Sequence, residues 1–292
     1  MPTLDRITIY PVKSLDGLDL AACGVLGNGA LENDRRWRLV DLDGRVVNAK
    51  RTPRFHPIRA EYDLAERLIT LSLWTDGPTE PAHTFPLAPG PEGPCDWLSE
   101  ALGTRVLLEE RRDGGFPDDR EAPGPTLVST ASLEEVARWF GIDLAETRRR
   151  FRMNLEIGGC EAFWEDTLAS PVRAGIPSLA DLPADLAIDP YADLPPLEPR
   201  EFAIGEVWFR AERVCRRCPV PSRDSRTGAA KELFREAFEA RRGRGLRADV
   251  DAGRWGDFYR FSINTAAGSI RPAGVVRRAA KLLLSAERRE TV

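Results

Sequence analysis

Long apolar runs, histidine and paired cysteine motifs are all scarce in this chain of 292 residues. No apolar run approaches the roughly 18 residues that a membrane-crossing helix needs. The opening MPTLDRITIY also has neither a basic n-region nor an apolar h-region. The sequence therefore predicts no membrane association and a cytoplasmic location.

Histidine and cysteine are too few and too scattered for a structural zinc site. His56 and His83 have no paired spacing, and the chain has a single C-x-x-C motif, Cys215 to Cys218. The other cysteines are Cys23, Cys95 and Cys160. Five is an odd number, which argues against the disulfide framework of a secreted domain. We expect free thiols.

Positive charge is not in excess either, since the formal net charge is -4. This balance excludes generic nucleic-acid binding, which depends on a basic surface, so any anion site must concentrate positive charge locally. Only four of the 42 basic residues are lysines. We ascribe that skew to genomic base composition and infer no function from it.

The first third of the chain has the alternating pattern of antiparallel strands. LDRITIY reads as a strand, and RRWRLVD followed by LDG and RVVNA reads as a hairpin. Further strands are predicted at Ile58–Tyr62, Leu68–Leu73 and Arg105–Glu109, with one helix at Asp96–Leu102. A polar stretch, GGFPDDREAPGP, ends this part and predicts a domain boundary near residue 125.

The rest of the chain mixes helices with strands. Helices are predicted at Ser129–Gly141, Ala229–Arg242 and Val275–Glu287, and strands at Asn154–Ile157 and Ile204–Val214. Residues 171–200 contain seven prolines, which favours an insertion that is either an irregular ordered loop or a mobile flap. The expected fold class is α+β and β-rich, with domains at 1–125 and 126–292.

The C-x-x-C motif has several interpretations when it is taken alone. Cys215 and Cys218 lie where a strand opens into a loop containing Pro219 and Pro221. Zinc lacks further ligands, and a thioredoxin-like redox pair lacks the helix that should follow it. Two half-buried thiols without a chemical task are the remaining alternative.

Five segments, in order, resemble one family. YPVKSLDGLDL and NDRRWRLVDLDGRVV resemble the N-terminal β-barrel domain of MOSC (molybdenum cofactor sulfurase C-terminal) proteins. FRMNLEIGGCEAFWEDTL, FAIGEVWFRAERVCRRCPVPSRDSRTG and YRFSIN resemble the MOSC domain, particularly in relatives of the mitochondrial amidoxime-reducing component. The likeness spans Leu4 to about Asn264. It implies an N-terminal β-barrel domain followed by a β-barrel-like MOSC domain with peripheral helices.

The resemblance also implies a pterin-bound molybdenum held by one protein thiolate, that of Cys218. Molybdenum accepts soft thiolate ligands, which agrees with this assignment. Cys215 is then either a neighbour of the site or a packed strand residue, and Cys160 is expected to be buried near the site. No cysteine cluster for an iron–sulfur centre occurs in this chain, so electrons must come from a separate protein.

The cofactor carries a phosphate or a nucleotide diphosphate, and five residues match the family's binding positions. They are Lys13, Ser14, Arg35, Arg152 and Asn154. Arginine grips phosphate with two hydrogen bonds and lysine acts as a point charge. Arg35 and Arg36 are adjacent and should point to opposite faces of a sheet, so only one can face the site. The match to DRRW in the family selects Arg35. The helix beginning near Ser129 either binds an anion or is only capped there.

The loop after Cys218 departs from the family. PVPSRDSRTG keeps Asp224, Thr227 and Gly228 but has Pro219 to Ser222 in place of polar threonines, which leaves the substrate range open. Asp224 is a candidate general acid, with turn capping as the alternative.

The resemblance implies an oxidoreductase that reduces N-hydroxylated or N-oxide-type small molecules with electrons from a separate protein. The alternatives are a non-catalytic carrier of the molybdenum cofactor, a persulfide sulfur carrier on Cys218, and a structural module that has lost the cofactor. No nucleic-acid or membrane partner is expected.

Overall fold

The computed structural model describes residues 1–75, 81–170, 200–253 and 255–284. Within them the chain is β-rich with a minority of helix, as the sequence predicts for the α+β class. None of the helices in these ranges is long and apolar enough to cross a membrane.

Sixteen strands and five helices make up the regular structure of the described residues. The strands β1 to β16 are, in chain order, Thr3–Ile9, Leu18–Leu20, Ala22–Val25, Trp37–Val40, Val46–Val47, Ile58–Asp63, Leu68–Leu73, His83–Pro86, Leu107–Glu110, Leu127–Ser129, Leu155–Gly158, Glu201–Ile204, Val207–Arg216, Arg260–Ala267, Gly274–Arg277 and Leu282–Leu284. The helices α1 to α5 are Cys95–Leu102, Thr130–Phe140, Leu144–Phe151, Asp166–Ala169 and Phe234–Arg244.

The largest sheet joins both ends of the chain. Its strand order is β16-β12-β13-β14-β10-β11-β1-β2. The first strand, β1, runs antiparallel to β11 and to β2, and β10 runs parallel to β11. Leu4, Ile7 and Ile9 of β1 are fully buried in the same core cluster as Phe202 and Phe209. The start of the chain is therefore part of the core that the later strands build.

Three smaller sheets complete the β structure of the described residues. Their orders are β5-β4-β9, β6-β7-β8 and β15-β3. The first two pack around a second core that contains Trp37, Phe55 and Leu98. A third core joins α2, α3 and α5 through aromatic rings, among them Phe151, Phe238 and Phe261. No strand order among the described residues closes into a barrel.

Most elements predicted before residue 160 are confirmed, with ends that differ by one to three residues. The opening strand, the hairpin, the next three strands, the helix before residue 103 and the helix after Ser129 are all present. The predicted strand Ile204–Val214 is the hairpin of β12 and β13, which turns at Gly205 and Glu206. The third helix, α3, and the strand β14 had not been predicted.

The helix predicted at Val275–Glu287 is wrong within the described residues, which extend to residue 284. Two strands, β15 and β16, occupy this segment and pair with β3 and β12. Val276 and Leu282 are buried while their neighbours Val275 and Leu283 are exposed. The apolar residues of this segment fit one face of a helix as well as they fit two short strands. Pairing with the edges of β3 and β12 favours the strands.

The predicted helix Ala229–Arg242 begins later, at Phe234. The Pro-rich stretch 171–200 lies outside the described residues apart from Arg200. The proposed division into 1–125 and 126–292 stays a prediction.

Candidate functional site

A cavity of about 540 Å³ opens between the early and late parts of the chain. Its walls come from the loop after β1, the segment before β4, the irregular segment 117–124, the end of α3, and the end of β13 with its loop. Twelve lysines and arginines line it against five aspartates and glutamates. The acidic chain therefore has the local positive charge that an anion site requires.

Lys13, Arg35 and Lys50 surround one carboxylate, that of Asp118. Lys13 Nζ lies 3.1 Å and Lys50 Nζ 3.0 Å from Oδ1, and Arg35 Nε lies 3.7 Å from Oδ2. Burial raises the pKa of Asp118, but the three cations outweigh it and hold the pKa far below its usual range. Asp118 is therefore ionised at neutral pH.

Backbone geometry selects Arg35 over Arg36. Arg35 has a left-handed φ of 49° and precedes strand β4, so its side chain turns towards the cavity and contacts Asp34 and Asn154. Arg36 turns away and pairs with Glu110. The predicted choice agrees with the structure, although a turn before the strand, and not alternation within it, separates the two side chains.

Ser14 and Arg152 both bond to neighbouring parts of the cavity wall. The Ser14 Oγ accepts a hydrogen bond from the Ala49 backbone N–H at 3.1 Å, which fixes the loop that carries Lys50. Arg152 follows α3 in a left-handed conformation, and its Nη2 donates to the Leu15 carbonyl at 2.7 Å. Both residues line the cavity, as predicted binding residues should.

Asn154 lines the cavity, but its side-chain amide is engaged within the protein. Its Nδ2 donates to the Thr8 carbonyl at 3.0 Å and to Asp34 Oδ1 at 3.2 Å. Its Oδ1 accepts from both the N–H and the hydroxyl of Thr126 at 3.1 Å. Because both amide hydrogens have partners, Asn154 joins the walls of the site and has no hydrogen left to donate to a ligand.

The C-x-x-C pair also lines the cavity. Cys215 and Cys218 are both half-buried, both line the cavity, and all five cysteines are free thiols. Arg217 donates to the Cys215 sulfur at 3.3 Å and to the Phe151 carbonyl at 2.6 Å. Burial lowers the pKa of Arg217, but the sulfurs of Cys215 and Cys218 outweigh it and raise the pKa overall.

The loop that follows Cys218 is fastened to α3. Glu146 accepts hydrogen bonds from both the backbone N–H and the hydroxyl of Ser225. Arg150 joins the same Glu146 carboxylate and lies 3.4 Å from Asp224 Oδ2. Helix α3 therefore positions Arg152 at its end and the Cys218 loop along its side.

Asp224 is not among the residues that line the cavity. Its Oδ1 accepts hydrogen bonds from the backbone N–H groups of Arg226 and Thr227 at 3.0 and 2.9 Å. Burial raises the pKa of Asp224, but these hydrogen bonds and Arg150 lower it overall. The turn hydrogen bonds and the position outside the cavity lining favour the capping alternative over the general acid.

Two further predicted features lie away from the cavity. Ser129 caps α2, with its Oγ accepting from the Ser132 backbone N–H at 3.1 Å, and both side chains are buried. Plain capping therefore describes this helix start. Cys160 packs against the first core and does not line the cavity, contrary to the expectation that it lies near the site.

Sequence reasoning missed three charged residues of the site, Lys50, Asp118 and Arg217. Lys50 follows the predicted hairpin, Asp118 lies in the stretch taken as a boundary, and Arg217 lies between the two cysteines. One signal was present for Lys50, because a lysine stands out in a chain whose other basic residues are nearly all arginine. Asp118 had no local signal, since only the fold brings it to Lys13.

Among the described residues, no group of three or more histidine, cysteine, aspartate or glutamate side chains is arranged to hold a metal ion. A metal held by several protein ligands therefore has no candidate site there. A metal that takes one protein thiolate and its other ligands from a bound organic group is not tested by this criterion.

Comparison with known proteins supports the resemblance for the first part of the chain. Residues 1–87 match the family model of the MOSC N-terminal beta barrel domain. Molybdenum cofactor sulfurase from Drosophila grimshawi is 28% identical over 78% of this chain and 29% of its own length. The same-named protein from Danio rerio is 27% identical over 83% of this chain and 31% of its own length. The chain thus spans less than a third of these relatives.

A solved structure, that of the YUAD protein from Bacillus subtilis, aligns over 97% of this chain and 96% of that chain. The TM-score is 0.34 and the identity 9%.

Proposed function

We propose that this chain binds a molybdenum cofactor in the cavity described above, with the Cys218 thiolate as the protein ligand of the metal. The observation that carries the proposal is that one cavity unites six of the seven predicted site residues. They are Lys13, Ser14, Arg35, Arg152, Asn154 and Cys218. These residues are up to about 200 positions apart in the sequence, so their convergence is not a consequence of local spacing.

The residues fit such a group chemically. A pterin-bound molybdenum with a terminal phosphate needs a protein thiolate for the metal and positive charge for the phosphate. Cys218 supplies the first, and Lys50 and Arg217 interact electrostatically with its sulfur. Arg152 and Arg217 have no carboxylate within ion-pair distance among the described residues, so positive charge remains available for an anion.

The reaction we propose is the reduction of N-hydroxylated or N-oxide-type small molecules. When bound, the cofactor supplies two-electron removal of an oxygen atom, with electrons returned by a separate donor protein. This chain's contribution is to orient the cofactor through Cys218 and the cationic wall. We propose no residue of the cavity lining as a proton donor.

Metal analysis tests the binding proposal. Protein from a host that makes the cofactor should contain molybdenum in stoichiometric amount, and Cys218→Ser should lose most of it. Cys215→Ser is the matched control, because it removes a thiol from the same wall and should keep the metal. A folded wild-type protein without molybdenum, or Cys218→Ser with unchanged content, would contradict the assignment.

A carrier without turnover is the second candidate, and the names of the relatives favour it. The curated relatives are molybdenum cofactor sulfurases, which suggests handling of the cofactor or of sulfur on Cys218. Reduction of benzamidoxime with a chemical electron donor separates the candidates. Turnover by the molybdenum-loaded protein supports the reductase, whereas bound molybdenum without turnover supports the carrier.

A further inference from the structure

The carboxylate of Asp118 occupies the place where a ligand's anionic group would be expected. It lies between Lys13 and Lys50, at 3.1 and 3.0 Å, with Arg35 at 3.7 Å. Its side chain is 47% exposed, so it reaches into the cation cluster from the rim of the cavity. An anion that binds these three cations must share them with Asp118 or displace it.

The chain around Asp118 allows displacement. On one side the Phe116 N–H donates to the Arg35 carbonyl at 2.8 Å. On the other side Asp119 is held by Arg213 and by Asn264 Nδ2 at 2.9 Å. Among the described residues no backbone hydrogen bond is made by Asp118 itself. Moving its carboxylate out of the cluster therefore breaks ion pairs but no backbone hydrogen bonds.

Charge decides which ligands can displace it. Asp118 carries one negative charge and is covalently tethered, so it has a high effective concentration at the cations. Displacing Asp118 therefore lowers the affinity of every competing anion by the same factor. A phosphate-type dianion pairs more strongly with the cations than a monoanion does, so it still binds at the lower concentration.

We propose that Asp118 is a tethered competitor that occupies the anion subsite, so that an anionic ligand binds Lys13, Arg35 and Lys50 only by displacing its carboxylate. The proposal rests on the anionic half of the proposed function and is independent of the metal. It predicts that the ligand's phosphate displaces Asp118 towards solvent when it binds Lys13, Arg35 and Lys50.

Calorimetric titration of the full chain at about pH 8 tests the proposal, with inorganic phosphate as the dianion and formate as the monoanion. Asp118→Asn should tighten phosphate and formate binding by the same factor, about tenfold, because both anions displace the same carboxylate. Asp119→Asn is the matched control, because it removes the same charge from the same cavity without touching Lys13. It should leave both affinities within about twofold.

Equal effects of Asp118→Asn and Asp119→Asn on phosphate affinity, or a gain in affinity for one anion and not for the other in Asp118→Asn, would each overturn the proposal. Undetectable phosphate binding to either form would overturn it as well. Molybdenum content is measured separately, so failure here leaves the test of Cys218 intact.

Discussion

Arg152 combines a left-handed backbone with a side chain that contacts Tyr10 and Leu15. Its φ of 58° lies in the left-handed region, where the residue after a helix is most often glycine. The guanidinium lies 4.1 Å from the ring centre of Tyr10 and donates to the Leu15 carbonyl. Burial raises the pKa of Tyr10 to about 12, so its ring remains a neutral platform for this cation.

Two substitutions separate the backbone of Arg152 from its side chain. Both Arg152→Gly and Arg152→Ala remove the guanidinium, but only glycine relieves the left-handed strain. The free energy of unfolding of the glycine variant should therefore be about 1 kcal/mol higher than that of the alanine variant. Urea denaturation of the pair measures the difference. Equal stability of the two variants would show that the backbone is not strained here.

His56 predicts a pH dependence of stability. It is 8% exposed, and burial together with Arg223, Arg152 and Arg59 lowers its pKa to about 4. The unfolded chain binds a proton near pH 6.5 and the folded chain does not, so the free energy of unfolding falls as the pH drops through this window. From pH 7 to 5 the loss should be about 2 kcal/mol.

The variant His56→Gln isolates this contribution. It lacks the titrating group, so its free energy of unfolding should fall by about 2 kcal/mol less than that of the wild type over the same pH change. Denaturant titrations at the two pH values give both slopes. Parallel pH profiles for the two proteins would mean that His56 is protonated as easily in the folded state as in the unfolded one.

At the scale of elements, β15 and β16 lie where the sequence predicts a helix. Two adjacent leucines of β16 test whether this segment is a strand. Leu282 is 2% exposed and packs in the first core, whereas Leu283 is 39% exposed. Leu282→Ala should cost about 3 kcal/mol of stability and Leu283→Ala less than about 1 kcal/mol. Thermal or urea unfolding measures both. Similar costs for the two leucines would contradict the strand.

The elements that sequence reasoning predicted correctly have strong local patterns. The opening strand alternates in LDRITIY, and the helix after Ser129 has a cap at its start and Gly141 at its end. Helix α3 was missed because LAETRRRF has few apolar residues, and a cap at Asp143 together with packing of Phe151 defines it. Strand pairing at the C-terminal end depends on β3 and β12, which no local pattern reveals.

The site divides in the same way. The seven predicted site residues line one cavity, with the exception of Asp224. A motif does not give the role of each residue. The amide of Asn154 is bonded to Thr8 and Thr126, which are distant in sequence, so only the tertiary structure reveals these partners. The partners of Asp224 are in its own turn, which the sequence does predict as an alternative.

At the scale of the molecule, the first strand completes the sheet of the last two thirds of the chain. Strand β1 lies between β11 and β2, and Leu4, Ile7 and Ile9 have no exposed surface. A fragment of residues 126–292 lacks this strand and exposes the core that β1 covers. We expect such a fragment to be unfolded or aggregated, since it loses three large buried side chains and a full strand pairing.

Circular dichroism of the fragment and calorimetry of the full chain provide the measurements. The full chain should unfold in a single transition, because its core crosses the predicted boundary near residue 125. A folded 126–292 fragment with a cooperative melting curve would instead support two independent domains.

Because lysine is scarce, the two amines beside Asp118 can be labelled with little reaction elsewhere in the chain. Two of the four lysines in the chain, Lys13 and Lys50, contact this single carboxylate. An amine-selective acylating reagent therefore has few targets elsewhere on the side chains, and peptide mass spectrometry can assign each one. Occupancy of the cavity can thus be recorded as protection of two named amines, on the unaltered protein and without a spectroscopic label.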